Sequence, residues 1–361
     1  MQRYLIIGSG LIGRLLAWRL IRLGHHVDML SKDDFKGSDS AGYIAASMVS
    51  PATEAVQTER MVKTIGSVSL KLWPEWLAEL PEPVFYQNNG TLVVAHPGDQ
   101  SEMARFVKRT QHILDEGDYA HLTQSELNEK EPQLAQQFDH ALFFKDESSL
   151  DNRQLYQQLT TLLTTSPLCN WQKCEAIKTL SSEAIAQLSK QYFNCESDCY
   201  DEVIDCRGNG AKSDMAGLRS VRGEVIRVYA PDVDFKHAIR LIHPRYPMYL
   251  APRPNHEYVL GATVIENDDM SPVSVRSGLE LMSVLCTLNK SFAEARILEM
   301  ASHCRPAMAN NMPTIRRTNW GLQVNGLYRH GYLFSPAIIK DVLALLNEQQ
   351  ESIQFGELFH V

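Results

Sequence analysis

Arg3-Tyr4-Leu5-Ile6-Ile7-Gly8-Ser9-Gly10-Leu11-Ile12-Gly13-Arg14-Leu15-Leu16 is the stretch on which the reading of this chain turns. Residues 3 to 7 are a short apolar run and predict a strand. Leu11, Ile12, Leu15, Leu16, Leu20 and Leu23 recur at helical spacing and predict a helix that Gly24 ends. Val27-Asp28-Met29-Leu30 predicts a second strand, completing a βαβ unit of about 30 residues. A G-x-G-x-x-G pattern alone is weak evidence, but here it follows a strand and opens a helix, the context a dinucleotide pyrophosphate requires. Gly8 would allow the tight turn, Gly10 the close approach of the pyrophosphate, and Gly13 the packing of helix on strand. The helix N-terminus, at Leu11 and Ile12, favours negative charge.

Other features bound the function. The chain has 361 residues, 44% hydrophobic and 22% charged, which predicts a globular protein of roughly two domains. Its formal net charge of -8 argues against a nucleic-acid partner. No window approaches the ~18 uninterrupted apolar residues of a membrane span, so no membrane association is expected. The first residues run into a strand rather than a secretory leader, from which a cytoplasmic protein is expected. The seven cysteines lack C-x-x-C pairs and read as reduced thiols. Cys195 and Cys199, in an expected surface hairpin, could bridge only if oxidised. The twelve histidines lack ligand spacings, so no metal is expected. Signatures of hydrolysis or phosphoryl transfer are missing too.

Further along, residues 31 to 60 read as a Ser-, Ala- and Gly-rich loop, residues 101 to 136 and 150 to 163 as helices, and residues 200 to 206 as a strand. Residues 223 to 263 read as antiparallel strands of a second domain, residues 276 to 301 as helices, and 337 to 347 as a last amphipathic helix. One partner expected of a dinucleotide site is displaced. The acid that accepts the ribose hydroxyls would fall on Ser31, followed by Lys32, with Asp33 and Asp34 the nearest acids. One of these acids shifts inward, or Ser31 makes a weaker bond, or the ribose is held elsewhere; Lys32 beside a 2′-phosphate is a further alternative.

Several separated segments, in order along nearly the whole chain, carry a resemblance: the first 30 residues, AASMVSP at 45 to 51, NGTLVVA at 89 to 95, VRGEVIRV at 221 to 228, MYLAPR with LGAT at 248 to 263, RPAMANNMP at 305 to 313, and NGLYRHGYLFSPA at 325 to 337. With them the chain resembles the D-amino-acid oxidase superfamily of flavoproteins, nearest to the glycine oxidase group of the thiamine-biosynthesis type. The resemblance implies an α/β fold in which a Rossmann-like FAD-binding domain (1-84, 146-220 and 305-361) is interleaved with an α+β substrate domain built on an antiparallel sheet (85-145 and 221-304). FAD is the implied cofactor, with a small amine or amino acid and oxygen as partners; a homo-oligomer is compatible with it. Ala45, Ala46, Ser47 and Met48 would pass the flavin. Ser47 stands where glycine oxidases place glycine, and its hydroxyl could bond the ring or crowd it. Gly208 falls in the family's small-residue turn near the dinucleotide, while Arg207 reads equally as an ion-pair member.

Tyr249 matches a tyrosine whose hydroxyl helps hold the substrate carboxylate, and otherwise reads as packed between strands. Arg305 matches the arginine that grips that carboxylate, for which a guanidinium fork is suited, and as a matched position it also borders the cofactor. Arg329 matches a second active-site arginine or is a structural one. His330, Gly331, Tyr332 and Leu333 lead into the last helix and would point its N-terminus at the flavin. The implied function is FAD-dependent oxidation of a glycine- or sarcosine-like amine by hydride transfer, with imine hydrolysis and reoxidation by oxygen to hydrogen peroxide. Alternatives are a flavoprotein acting on an amine in a larger partner, such as a peptide or modified tRNA base, and a noncatalytic flavin-binding maturation partner.

Overall fold

The computed structural model describes every residue except Pro244, Tyr246 and Val361. It is a mixed α/β protein with two large sheets. β1 (Arg3–Ile7), α1 (Leu11–Arg22) and β2 (His26–Ser31) form the expected βαβ unit, with β1 and β2 parallel and Ile7 opposite Leu30. They lie inside a seven-stranded sheet whose order is Phe359–His360, Thr314–Arg317, Leu322–Asn325, Glu202–Asp205, β1, β2, Cys169–Lys173. Leu15, Leu16, Trp18 and Leu20 of α1 are buried against this sheet and against the helices Asn152–Thr165 and Gly331–Leu346. Each such apolar side chain contributes about 1.5–3 kcal/mol by leaving water.

The second sheet has eight strands, in the order Arg296–Ala307, Arg219–Tyr229, Glu257–Gly261, Met248–Arg253, Ala238–Ile242, Thr91–Ala95, Ala141–Phe144, Ala120–Leu122. Its pairings are antiparallel except that Ala238–Ile242 runs parallel to Thr91–Ala95. A short three-stranded sheet joins Met48–Val49, Ser148–Leu150 and Tyr86–Gln87. No described helix is long and apolar enough to cross a membrane.

Five local expectations need correction, the first being that residues 101 to 136 are not helical throughout, since Ala120–Leu122 is a strand paired with Ala141–Phe144. The helical reading of residues 276 to 301 holds only for Val275–Leu288, because Arg296–Ala307 is a long strand paired along its length with Arg219–Tyr229. The stretch from 31 to 60 contains helical turns at Ala41–Ile44 and Pro51–Ala55. Cys195 and Cys199 are joined as a disulfide and lie beyond the end of the helix Ser182–Phe193, not in a hairpin; Asn194, at φ 51°, turns the chain back there. The five other cysteines are free.

The last helix begins at Gly331, six residues before its expected start, and so takes Pro336 into its interior. A proline there cannot donate to the carbonyl four residues back, that of Tyr332. The indole Nε1 of Trp73 donates to that carbonyl instead, at 2.8 Å. Trp73→Phe should therefore lower unfolding free energy by about 1–3 kcal/mol, the range for a buried acceptor left unpaired; denaturant melts that coincide with the unmodified protein would refute this role.

Candidate active site

The three glycines of the first turn have three different neighbours. Gly8 has φ 107°, and a Cβ there would lie 2.5 Å from the carbonyl oxygen of Cys206. A Cβ on Gly13 would overlap the carbonyl oxygen of Gly8 itself. A Cβ on Gly10 would meet no atom of the other described residues within 4 Å beyond its own chain neighbours and helix backbone. It would instead project toward a cavity of about 630 Å³ that Gly10 lines. Gly10 is also the N-cap of α1 and supplies no side-chain partner to the first helical amides, which stay free for an anion.

That cavity collects nearly all the site residues expected from sequence. Gly8, Gly10, Leu11, Ile12, Ser31, Lys32, Ala45, Ala46, Ser47, Met48, Gly208, Tyr249, Arg305, Arg329, His330, Gly331, Tyr332 and Leu333 line it, and Gly13 packs behind it. At the end nearest β2, Ser31 is committed: its hydroxyl accepts from Trp171 Nε1 at 3.1 Å. Lys32 is paired at the surface with Asp39 at 2.6 Å, which leaves the 2′-phosphate alternative without support. Asp33 is the acid that shifts inward. It is buried and lines the cavity, and its Oδ1 has no hydrogen-bond partner among the described residues. Burial, with Asp39 nearby, pushes its carboxyl up to about 6.

An orphaned carboxylate oxygen and an open glycine cradle fit the ribose and pyrophosphate of a dinucleotide. Asp33→Asn should weaken FAD binding about tenfold, as for loss of a charge-assisted hydrogen bond. Fluorescence titration of the apoprotein measures it, and an unchanged Kd would place the ribose elsewhere. Arg14, which sequence reading passed over, braces this end. Fully buried on α1, it donates from Nε to the Ser9 carbonyl at 2.7 Å and from Nη2 to that of Phe35 at 3.0 Å. Its guanidinium also lies over the rings of Tyr156 and Trp171. The available signal was a lone charge on an otherwise apolar helix face.

The Ser47 hydroxyl is engaged within the protein. At φ 52° its hydroxyl donates to the Leu150 carbonyl at 2.5 Å and accepts from Arg253 Nη2 at 2.9 Å. Arg253 Nη2 also holds the Ala46 carbonyl at 2.7 Å, so the pair pins the loop that borders the cavity. Arg207 is a structural ion-pair member, bonded to Asp205 at 2.9 Å and to Asp214, with a nearly buried side chain.

At the other end Arg305 and Arg329 face the cavity in opposite electrostatic situations. Among the described residues Arg305 donates only to backbone carbonyls, those of Thr263 at 3.1 Å and Arg222 at 3.4 Å. Burial lowers its guanidinium to about 10, which still leaves it charged at neutral pH. The guanidinium packs over Gly223, where a Cβ would overlap it. Arg329, by contrast, donates from Nη2 to Oε1 of Glu54 at 2.6 Å.

Glu54, a residue not foreseen from sequence, organises this end. Oε1 also accepts from the Tyr249 hydroxyl at 2.6 Å, and Oε2 pairs with His330 Nε2 at 2.9 Å. Burial opposes its charge, yet Arg329 and then His330 hold its carboxyl well below the usual range. Burial holds His330 low, so its ring is neutral and donates from Nε2. Tyr249 is fixed as well: it accepts from Arg240 Nη1 at 2.7 Å and gives its one hydrogen to Glu54. Behind it, Thr53 lies 3.1 Å from the Tyr249 hydroxyl and is held by Glu147. In sequence Glu54 is only an acid in the first turn of the short helix Pro51–Ala55, which reads as a partner of the helix dipole. The helix Gly331–Leu346 starts at the same place, and its free first-turn amides adjoin the cavity. Among the described residues no group of three or more His, Cys, Asp or Glu is arranged to hold a metal ion.

Comparison with known proteins gives this arrangement its family. The family model of FAD dependent oxidoreductases (DAO) matches residues 3–345. A Rhizobium etli protein assigned as a thiamine biosynthesis oxidoreductase is 36% identical over 352 residues, covering 96% of this chain and 98% of that one. Among solved structures, glycine oxidase from Geobacillus kaustophilus has a TM-score of 0.81 at 20% identity, over 100% of this chain and 99% of that one. Iminodiacetate oxidase from Chelativorans sp. BNC1 has 0.79 at 20% identity, over 99% of each. At such identities the structures speak to the fold, and they share it from end to end. The chain belongs to the FAD dependent oxidoreductase (DAO) family, and its cofactor is FAD.

Proposed function

We propose that this protein oxidises a small amino acid of the glycine or sarcosine type, with Arg305 gripping the substrate carboxylate. The observation that carries this is Arg305 itself: a half-buried, charged guanidinium whose partners among the described residues are backbone carbonyls only, in the cavity that also holds the glycine cradle. A cation drawn partly out of water with no anion at hydrogen-bond distance is costly, and a substrate carboxylate relieves that cost. When bound, FAD supplies the hydride acceptor and returns its electrons to oxygen as hydrogen peroxide. Arg305 fixes one end of the substrate so that the C–H next to nitrogen faces the cofactor, which is an entropic contribution to rate. Tyr249 and His330 hold Glu54 rather than the substrate. The first-turn amides from Gly331 to Leu333 favour negative charge at the cavity wall. The amine is taken up unprotonated, and the imine leaves to hydrolyse in water.

The relatives named for glycine and iminodiacetate oxidation support an amine substrate. We also take residues 1-84, 146-220 and 305-361 as the FAD-binding domain and 85-145 with 221-304 as the substrate domain. In support, the seven-stranded sheet draws every strand from the first set. The test is oxygen uptake with stoichiometric peroxide on addition of glycine or sarcosine. Ammonia should appear from glycine and methylamine from sarcosine. Oxygen uptake indistinguishable from the substrate-free rate with both would reject the proposal.

A further inference from the structure

We propose that Glu54 sets the number of carboxylates the site accepts: by holding Arg329 it leaves Arg305 as the guanidinium open to a substrate anion, so monocarboxylate amines enter and dicarboxylates are rejected. This rests on the reading above that Arg305 grips the substrate.

Two guanidiniums, at Arg305 and Arg329, border one cavity, which in isolation is a site for two anionic groups. The protein fills the second itself. The Glu54 carboxylate reaches Arg329 at 2.6 Å and cannot swing aside, because Tyr249 and His330 tie both of its oxygens at 2.6 and 2.9 Å. Its side chain is 7% exposed, so this charge acts on the cavity with little screening by water. Arg240, 4.0 Å from Glu54 and fully buried, steadies the carboxylate from behind. A second substrate carboxylate would have to take Arg329 from Glu54, stranding a buried anion, or sit beside that anion. A hydrogen, a methyl or another uncharged group on the amine meets neither obstacle.

The experiment compares sarcosine with iminodiacetate, which has a carboxymethyl group where sarcosine has a methyl, on the FAD-loaded protein and its Glu54→Gln and Glu54→Asp variants. In Glu54→Gln the kcat/KM ratio of iminodiacetate to sarcosine should rise roughly tenfold or more, through KM for iminodiacetate. Glu54→Asp, which keeps the charge, should retain the original ratio. If Glu54→Gln lowered both substrates equally, Glu54 would be merely structural and the proposal would fall. The unmodified protein gives a second reading free of folding effects. Dissociation constants from perturbation of the flavin absorbance should be roughly tenfold or more weaker for iminodiacetate, and equal constants would overturn the proposal. If neither compound were oxidised, the substrate reading would fall, while the two dissociation constants would still judge Glu54.

Discussion

Replacement of Arg305 by methionine should raise KM for sarcosine by about a hundredfold or more while leaving the protein folded and yellow, because the variant loses the charged fork that a carboxylate would bind. Gly223→Ala should act in the same direction without touching the arginine. A Cβ at residue 223 would occupy the place of the Arg305 guanidinium, and the far end of that side chain is what can move. Both variants should keep the FAD content and melting behaviour of the parent, and both should lose activity mainly in KM. Steady-state oxygen uptake beside a flavin-to-protein ratio checks this. A Gly223→Ala enzyme with parental KM would show that the guanidinium need not lie where the structure puts it, and a parental KM in Arg305→Met would remove the arginine from substrate binding.

The second large effect is expected at the first turn, where two glycines separate folding from cofactor binding. Gly13→Ala forces a methyl into the Gly8 carbonyl, which is backbone and cannot yield without opening the turn. It should lower the stability of the apoprotein and raise the Kd for FAD by about a hundredfold or more. Gly10→Ala meets no atom of the other described residues beyond its own chain neighbours and helix backbone. Its apoprotein should melt with the parent, yet its methyl stands between the backbone and the pyrophosphate, so FAD affinity should fall comparably. Apoprotein melts and fluorescence titrations of the two variants separate these outcomes. Unchanged FAD affinity in Gly10→Ala would mean that the pyrophosphate does not approach this turn.

The parts of the molecule legible in sequence are those whose cause is local. β1, α1 and β2 follow from a glycine turn between periodic apolar runs, and the pairing of β1 with β2 joins residues fewer than about 30 apart. The strand Arg296–Ala307 was misread as helix because Arg296-Ile297-Leu298-Glu299-Met300 carries good helix formers; pairing with Arg219–Tyr229 overrides that preference. The early start of the last helix was hidden for a related reason. Ser335-Pro336 looks like a helix opening, and the donor that lets Pro336 sit inside comes from Trp73, 259 residues away. Glu54 was invisible in the same sense, since Tyr249 and Arg329, which give it its role, lie 195 and 275 residues along the chain. Asp33 was half legible: an acid was expected near the end of β2, but only burial separates it from the exposed Asp34, and only an unpaired oxygen from Ser31, which is buried too but accepts from Trp171.

The most direct test of the central claim is an anaerobic titration of the FAD-loaded protein with glycine, sarcosine and a panel of D-amino acids, following the visible absorbance of the oxidised flavin. Bleaching by glycine or sarcosine, abolished at the same concentrations in Arg305→Met, is the predicted result. A flavin that binds but is bleached by none of these compounds would contradict the assignment of a free small amino acid as substrate.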